Sequence, residues 1–208
     1  KRQMYNIQHT VTPNNGMLEV KLECIRPDME IHYTTDGSEP TATSPLYEKI
    51  VPVKEALTLK GAIFAHGRQM GKTLILPVRW NLATAKPVLG TNPTEKLLTN
   101  GIRGSLKYSD FEWCSWADND SVSFTIDLLK PEMLNTLTLG CITNNGMAIH
   151  KPASVRVEVS DDNSKFREAV VQSFTSEEIF REGNFIENLS LKLGGTQLSL
   201  IHISEPTR

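Results

Sequence analysis

Apolar and polar residues alternate along almost every patterned segment of this chain, and a period of two admits strands with one buried face and little else. Leu18, Val20, Leu22 and Cys24 alternate with Glu19, Lys21 and Glu23. Ile31 and Tyr33 repeat the pattern, followed by Leu57, Leu59 and Ala62-Ile63-Phe64, then Leu74, Leu76 and Val78. Asn-Asn-Gly, Asp-Gly, His-Gly and Met-Gly-Lys turns separate these runs, supplying the residues that tight turns need. A strand and turn every dozen residues or so suits a β-sandwich of roughly 100 residues or fewer.

The stretch NLATAKPVLGTNPTEK (81–96) has two prolines, a glycine and little alternation, so it marks a domain boundary. Alternation then resumes in Val122, Phe124, Ile126 and Leu128, in Leu137, Leu139 and Cys141, in Val155, Val157 and Val159, and in Leu189, Leu191 and Leu193. SEEIFRE (176–182) alone has the pattern of a helical turn, with Ser176 as its expected N-cap. The expected fold class is all-β, with two β-sandwiches in series over 1–85 and 86–197.

Charge narrows the function. Lys+Arg 22 against Asp+Glu 24 gives net −2, too little basic field to attract nucleic acid. No apolar run approaches the roughly 18 residues of a membrane-spanning helix. The three cysteines, Cys24, Cys114 and Cys141, lack metal-ligand spacing and an even count, and read as small buried apolar residues. The acidic pairs read as structural: Asp161-Asp162 in a hairpin turn and Glu177-Glu178 in a first helical turn, with Asp118 and Asp120 likewise no catalytic pair.

YTTDGSEPT (33–41) shows how a strand ends here. Asp36-Gly37 supplies a turn with positive φ available at Gly37, Asp36 accepts turn amides, and Pro40 ends the pairing. The longer phrase IHYTTDGSEPTATSPLY, with LTLKGAIFAHGRQMGKT as a final hairpin, resembles the small fibronectin-III-like (Fn3-like) module that follows the catalytic barrel in bacterial chitobiases and β-hexosaminidases. That resemblance covers residues 6–84; α-L-fucosidases and other secreted glycosidases carry similar pieces.

LLTNGIRGS (97–105), FEWCSW (111–116), VSFTIDLLKPEMLNTLTLG (122–140) and KPASVRVEVSDDNSKF (151–166) resemble a discoidin domain, also called F5/8 type C or a family 32-like carbohydrate-binding module. The order of the two modules is similar to the C-terminal end of bacterial family 20 glycoside hydrolases, exo-acting β-N-acetylhexosaminidases. The resemblance implies a Fn3/Ig-like sandwich followed by an incomplete discoidin-type jelly roll. It also implies a secreted, periplasmic or cell-surface bacterial protein acting on glycans or glycoconjugates. Those enzymes use an adjacent Asp-Glu pair on a (β/α)8 barrel, with the substrate's acetamido group as nucleophile. No segment here resembles the barrel, so this fragment is expected to be non-catalytic, its parent chain a hydrolase with the barrel upstream. Two alternatives stay open: a carbohydrate-binding or adhesion protein with no enzyme, and the accessory end of another glycosidase such as an α-L-fucosidase.

Candidate sugar contacts follow from residue chemistry. An indole face stacks on the apolar face of a pyranose; Trp113 and Trp116, three apart, would face oppositely in a strand, Trp113 toward the core and Trp116 toward a ligand. Arg103 either hydrogen-bonds sugar hydroxyls or forms a salt bridge within its loop. In TNNGMAIHKP (143–152), Asn144, Asn145 and His150 either hydrogen-bond a sugar or build an Asn-Gly turn with a solvated His. The discoidin resemblance further implies a structural calcium near 97–105, though Asn100 stands where that family usually has Asp; Asn100 and Ser105 are the expected donors. No cofactor is expected to be required.

Residues 198–208, LSLIHISEPTR, resemble at all eleven positions the in-frame translation of a transposase-type sequencing adapter. They are expected to be a non-native tail outside the fold, with native sequence ending near Gln197 and a fragment of a longer protein before it. The jelly roll would then lack its last strands, leaving Leu189, Leu191 and Leu193 on an open sheet.

Overall fold

The computed structural model describes residues 2–117 and 122–205; Asp118 and Asp120 lie outside them. The chain divides into two compact units, one of residues 1–85 with Thr99–Ile102, the other of Lys86–Leu98 with residues 103–208. Both are built of antiparallel strands.

In the first unit, β1 (Gln8–Asn14), β2 (Met17–Glu23) and β4 (Val51–Val53) form one three-stranded sheet. A second sheet takes the order β3 (Glu30–Thr34), β5 (Leu57–Ala65), β6 (Arg68–Val78). The inward residues of both share one core that includes Leu18, Val20, Leu22, Val53, Leu59 and Ile63. The predicted corner after β3 is present: Gly37 has φ +80, and Asp36 accepts the Ser38 amide at 3.0 Å. The chain re-enters the sandwich where Tyr47 donates its amide to the Ile31 carbonyl at 2.8 Å, with the Tyr47 ring edge-on to Tyr33. Thr99–Ile102 joins this unit through Thr99 and Gly101 carbonyls that accept the Ala85 and Arg79 amides, each at 2.8 Å.

The second unit is one sheet in the order β10 (Arg167–Ser173), β9 (Ser154–Ser160), β11 (Asn184–Ser204), β8 (Ser123–Asn144), β7 (Val88–Leu89). Strands of 22 and 21 residues would run roughly 70 Å if straight, far beyond a domain of this size. Both therefore turn a corner. Leu129 takes φ +68 and Gly194 and Gly195 take φ +73 and +70, and the β8–β11 register shifts between Lys192 and Thr196 and again between Leu198 and Leu200. Each strand thus contributes to two layers of a sandwich. Phe124, Ile126, Val157, Val159, Ile201 and Ile203 are buried in one arm, and Leu134, Leu137, Leu189, Leu191 and Leu193 in the other.

Four expectations need correcting. Leu198–Ser204, expected outside the fold, runs through the middle of the sheet, paired on one side with β8 and on the other with β9. Leu189, Leu191 and Leu193, expected on an open sheet, are 4%, 1% and 5% exposed. The one helical turn, α1 (Ser176–Ile179), is capped by Thr175 rather than Ser176: the Thr175 hydroxyl accepts the Glu178 amide while the Glu178 carboxylate accepts the Thr175 amide, a reciprocal box. The three cysteines are free and half-buried rather than fully enclosed.

Candidate functional site

One end of the second unit is closed by two loops. The first leaves β8 at Asn144, whose amide and carbonyl pair with Ile149 at 2.9 and 3.0 Å; a single 3-10 turn, Asn145–Met147, fills the tongue between them. The second runs from β10 through α1 to β11. The Asn145 amide donates to the Gly183 carbonyl at 3.3 Å, and the Phe174 amide donates to the Ala153 carbonyl at 2.9 Å, so the loops are stitched together.

Lys151 anchors them. Its side chain is 4% exposed, with Nζ 3.1 Å from Glu187 Oε2 and 4.2 Å from the centre of the Phe174 ring. A buried ammonium is tolerable only when paired, and here a carboxylate and an aromatic face divide that task. Cys141 borders the pair; burial, reinforced by the Glu187 charge, pushes its thiol up to about 11, so it stays protonated and unreactive.

Above this anchor lies an exposed apolar ring with polar groups beside it. Phe180 is 55% exposed; the His150 ring meets it edge-on at 4.9 Å, and Asn145 Nδ2 reaches its carbonyl at 3.5 Å. Asn145 Oδ1 and His150 Nδ1 are enclosed and have no hydrogen-bond partner. The Arg181 guanidinium lies 3.8 Å over the Phe185 ring. A ring face bordered by an imidazole and a carboxamide suits a ligand with one apolar face and hydroxyls at its edge.

The structure brings Asn144, Asn145 and His150 together in the first loop, where His150 is half-buried rather than solvated. Arg103 forms no salt bridge within its loop among the described residues: its Nη2 donates to Asn188 Oδ1 at 2.8 Å, four residues along β11 from Asn184, which pairs with Asn144. Trp113 and Trp116 lie in irregular backbone, so strand alternation does not orient them. Trp116 stacks on Phe124 at 5.8 Å and 16°, which occupies one indole face. Trp113, half-buried rather than core, packs on Gly104 and donates Nε1 to the Ser105 carbonyl at 2.9 Å. Phe180 and Lys151 escaped the sequence reading; the one available signal for Phe180 was an aromatic residue directly after a four-residue helix, with no apolar partner in register.

Asn100 belongs to the first unit and Ser105 to the second. Asn100 is 1% exposed and its Oδ1 accepts the Ile102 amide at 3.0 Å; Ser105 Oγ accepts the Lys107 amide at 3.1 Å. Each is one neutral oxygen already engaged, where calcium takes six to eight oxygens, carboxylates among them. Among the described residues no group of three or more His, Cys, Asp or Glu could hold a metal, so these side chains do not by themselves fit the ion. A concavity of about 370 Å³ elsewhere in the second unit includes Asp127, Asp161 and Asp162. Two of its carboxylates serve turns: Asp127 accepts the Leu129 amide, and Asp162 accepts those of Ser164 and Lys165.

Comparison with known proteins bears mainly on the first unit. Residues 13–74 match the family model of the chitobiase/beta-hexosaminidase C-terminal domain, a span that reaches from the first hairpin into β6. No curated protein matches the chain. Among solved structures, an F-lectin (fucolectin) from the serum of striped bass, Morone saxatilis, is similar at 12% identity, over 97% of this chain and 80% of that one. The TM-score of that superposition is 0.43.

Proposed function

We propose that this chain is a non-catalytic accessory part of a β-N-acetylhexosaminidase of the family 20 type, its first unit a rigid spacer and its second a weak glycan-binding module. The observation that carries the reading is the match of residues 13–74 to a domain named for the C-terminal region of such enzymes. The exposed Phe180 ring, bordered by the His150 imidazole, supports the glycan-binding half, because it offers the stacking face that a pyranose uses. The catalytic (β/α)8 barrel belongs upstream in the same chain, and the protein acts outside the bacterial cytoplasm, secreted, periplasmic or on the cell surface. No helix among the described residues is long and apolar enough to cross a membrane.

Titrating the 208-residue chain with chito-oligosaccharides, followed by NMR or calorimetry, tests the binding half. Saturable binding that Phe180→Ala reduces about tenfold or more is expected; saturable binding indifferent to Phe180 and His150 moves the site elsewhere, and no binding leaves a spacer alone. Translation of the coding DNA upstream of residue 1 tests the enzyme: a (β/α)8 barrel bearing an adjacent Asp-Glu pair is expected, and any other domain overturns it. Calcium enters the proposal only through Asn100 or Ser105 together with backbone oxygens; a melting temperature unmoved by calcium or chelator removes it.

A further inference from the structure

Three Asn-Gly steps occur in the chain, Asn15-Gly16, Asn100-Gly101 and Asn145-Gly146. Such a step is the backbone's weakest point toward self-modification, because a glycine amide with no Cβ beside it can approach the preceding carboxamide. The Gly nitrogen attacks the Asn Cγ, Nδ2 leaves as ammonia, and the resulting succinimide is opened by water to Asp or isoAsp. One amide nitrogen is lost, one oxygen comes from water, and nothing is oxidised or reduced. Reaction requires that the glycine amide be free to move and that the carboxamide be able to rotate toward it.

The three steps differ on both counts. Gly16 donates its amide to the Ala85 carbonyl at 2.9 Å, inside a turn closed on either side by the Asn14–Met17 pairing of β1 and β2. Asn100 is 1% exposed, with Oδ1 accepting the Ile102 amide, and Gly101 is packed so tightly that a Cβ there would lie 2.7 Å from the Arg79 carbonyl oxygen. Asn145-Gly146 is different. The Asn144, Asn145, Ala148 and Ile149 amides are tied to carbonyls, whereas Gly146 sits in the first turn of the 3-10 helix, where an amide has no intrahelical partner. Gly146 is exposed. Asn145 Oδ1 has no donor, and Nδ2 holds one long contact, 3.5 Å to the Phe180 carbonyl. Rotating this carboxamide, whose Oδ1 is enclosed, breaks one long hydrogen bond and no other.

We infer that Asn145 is a site of spontaneous deamidation in the folded protein, reacting ahead of Asn15 and Asn100. The product places a carboxylate beside His150 and Phe180, one residue from the end of β8; if the loop binds glycan as proposed above, the modification changes the binding surface itself. The inference about reactivity does not depend on that reading.

The test incubates the 208-residue chain in mildly alkaline buffer, native and in denaturing urea, and follows the three Asn-Gly peptides by mass spectrometry for a gain of about 1 Da. In the native protein the Asn145 peptide is expected to convert about tenfold faster than the other two or more, a gap that closes in urea, where no local structure protects any of them. Gly146→Ala provides a second arm: its φ is not left-handed, and the nearest atom to a new Cβ is Asn144 Oδ1 at 3.5 Å, so the fold tolerates it while conversion at Asn145 slows. Equal native rates at the three steps, or a native Asn145 as inert as the others while urea releases all three, would overturn the inference. Glycan titration of Asn145→Asp separately reads whether the product alters binding.

Discussion

At the scale of single residues, Gly104 and Asp162 show how little of a local environment a sequence displays. A Cβ on Gly104 would lie 2.3 Å from the Trp113 ring, so Gly104 is required by contact and not by backbone conformation. Gly104→Ala must displace the indole and break its bond to the Ser105 carbonyl; a loss of about 1–3 kcal/mol is expected, read in a urea melt together with altered tryptophan fluorescence. Asp162 was legible as a turn residue, and the structure supplies the reason. Its carboxylate accepts the Lys165 and Ser164 amides, which hold it down at about 2. A carboxyl depressed in the folded state contributes its stability fully above its unfolded value, about 3.9, and loses it as pH falls toward 2. Asp162→Asn should therefore flatten the dependence of melting temperature on pH over that acid window and leave it unchanged near neutrality. The loop residues were legible unevenly. Asn145 and His150 stood out because an Asn-Gly turn followed by a histidine is visible in the sequence, whereas the buried Lys151 looks like every other surface lysine until Glu187 and Phe174 are folded over it.

At the scale of elements, strands with clean alternation were legible and the irregular ones were not. β2 and β9 announce themselves because alternate residues are buried along nearly their whole length, whereas β3 buries both Ile31 and His32 and β5 buries four consecutive residues, 61–64. β1 buries Val11 alone, and β10, at the sheet edge, carries a bulge between Glu168 and Val170; neither keeps a period. In β11 the buried set runs Leu189, Leu191, Leu193, then Leu198, Leu200, Ile201, Ile203. The register shift between Leu198 and Leu200 reverses the phase, so the last segment looks unpatterned although it is fully paired. The helix cap misled for a smaller reason: Thr175 and Ser176 are both good caps, and the reciprocal Glu178 contact decides between them. Thr175→Ala is accordingly expected to cost about 1 kcal/mol, and Ser176→Ala less than about 0.5 kcal/mol, in parallel urea denaturations.

At the scale of the molecule, the second unit depends on residues that the sequence reading set aside. Leu198, Leu200, Ile201 and Ile203 are 1%, 6%, 1% and 3% exposed. Burial of four such side chains is worth roughly 6–12 kcal/mol, comparable with the entire stability of a domain, about 5–15 kcal/mol. A chain ending at Gln197 should lose cooperative unfolding of the second unit and keep that of the first. Hydrogen exchange checks this directly: protection should vanish across β8 and β9 and persist across β2 and β5.

The central place of Leu198–Ser204 between β8 and β9 also orders events on the ribosome. All six strands of the first unit are complete by Val78, and that sandwich can close as soon as its chain emerges. The second cannot, because the strand that joins its sheet is the last of those strands to be made. At about 5–20 residues per second, some ten seconds of synthesis separate the two closures. During that interval the apolar faces of β8 and β9 have no strand between them, and the nascent chain is at its most exposed to mispairing and to chaperones.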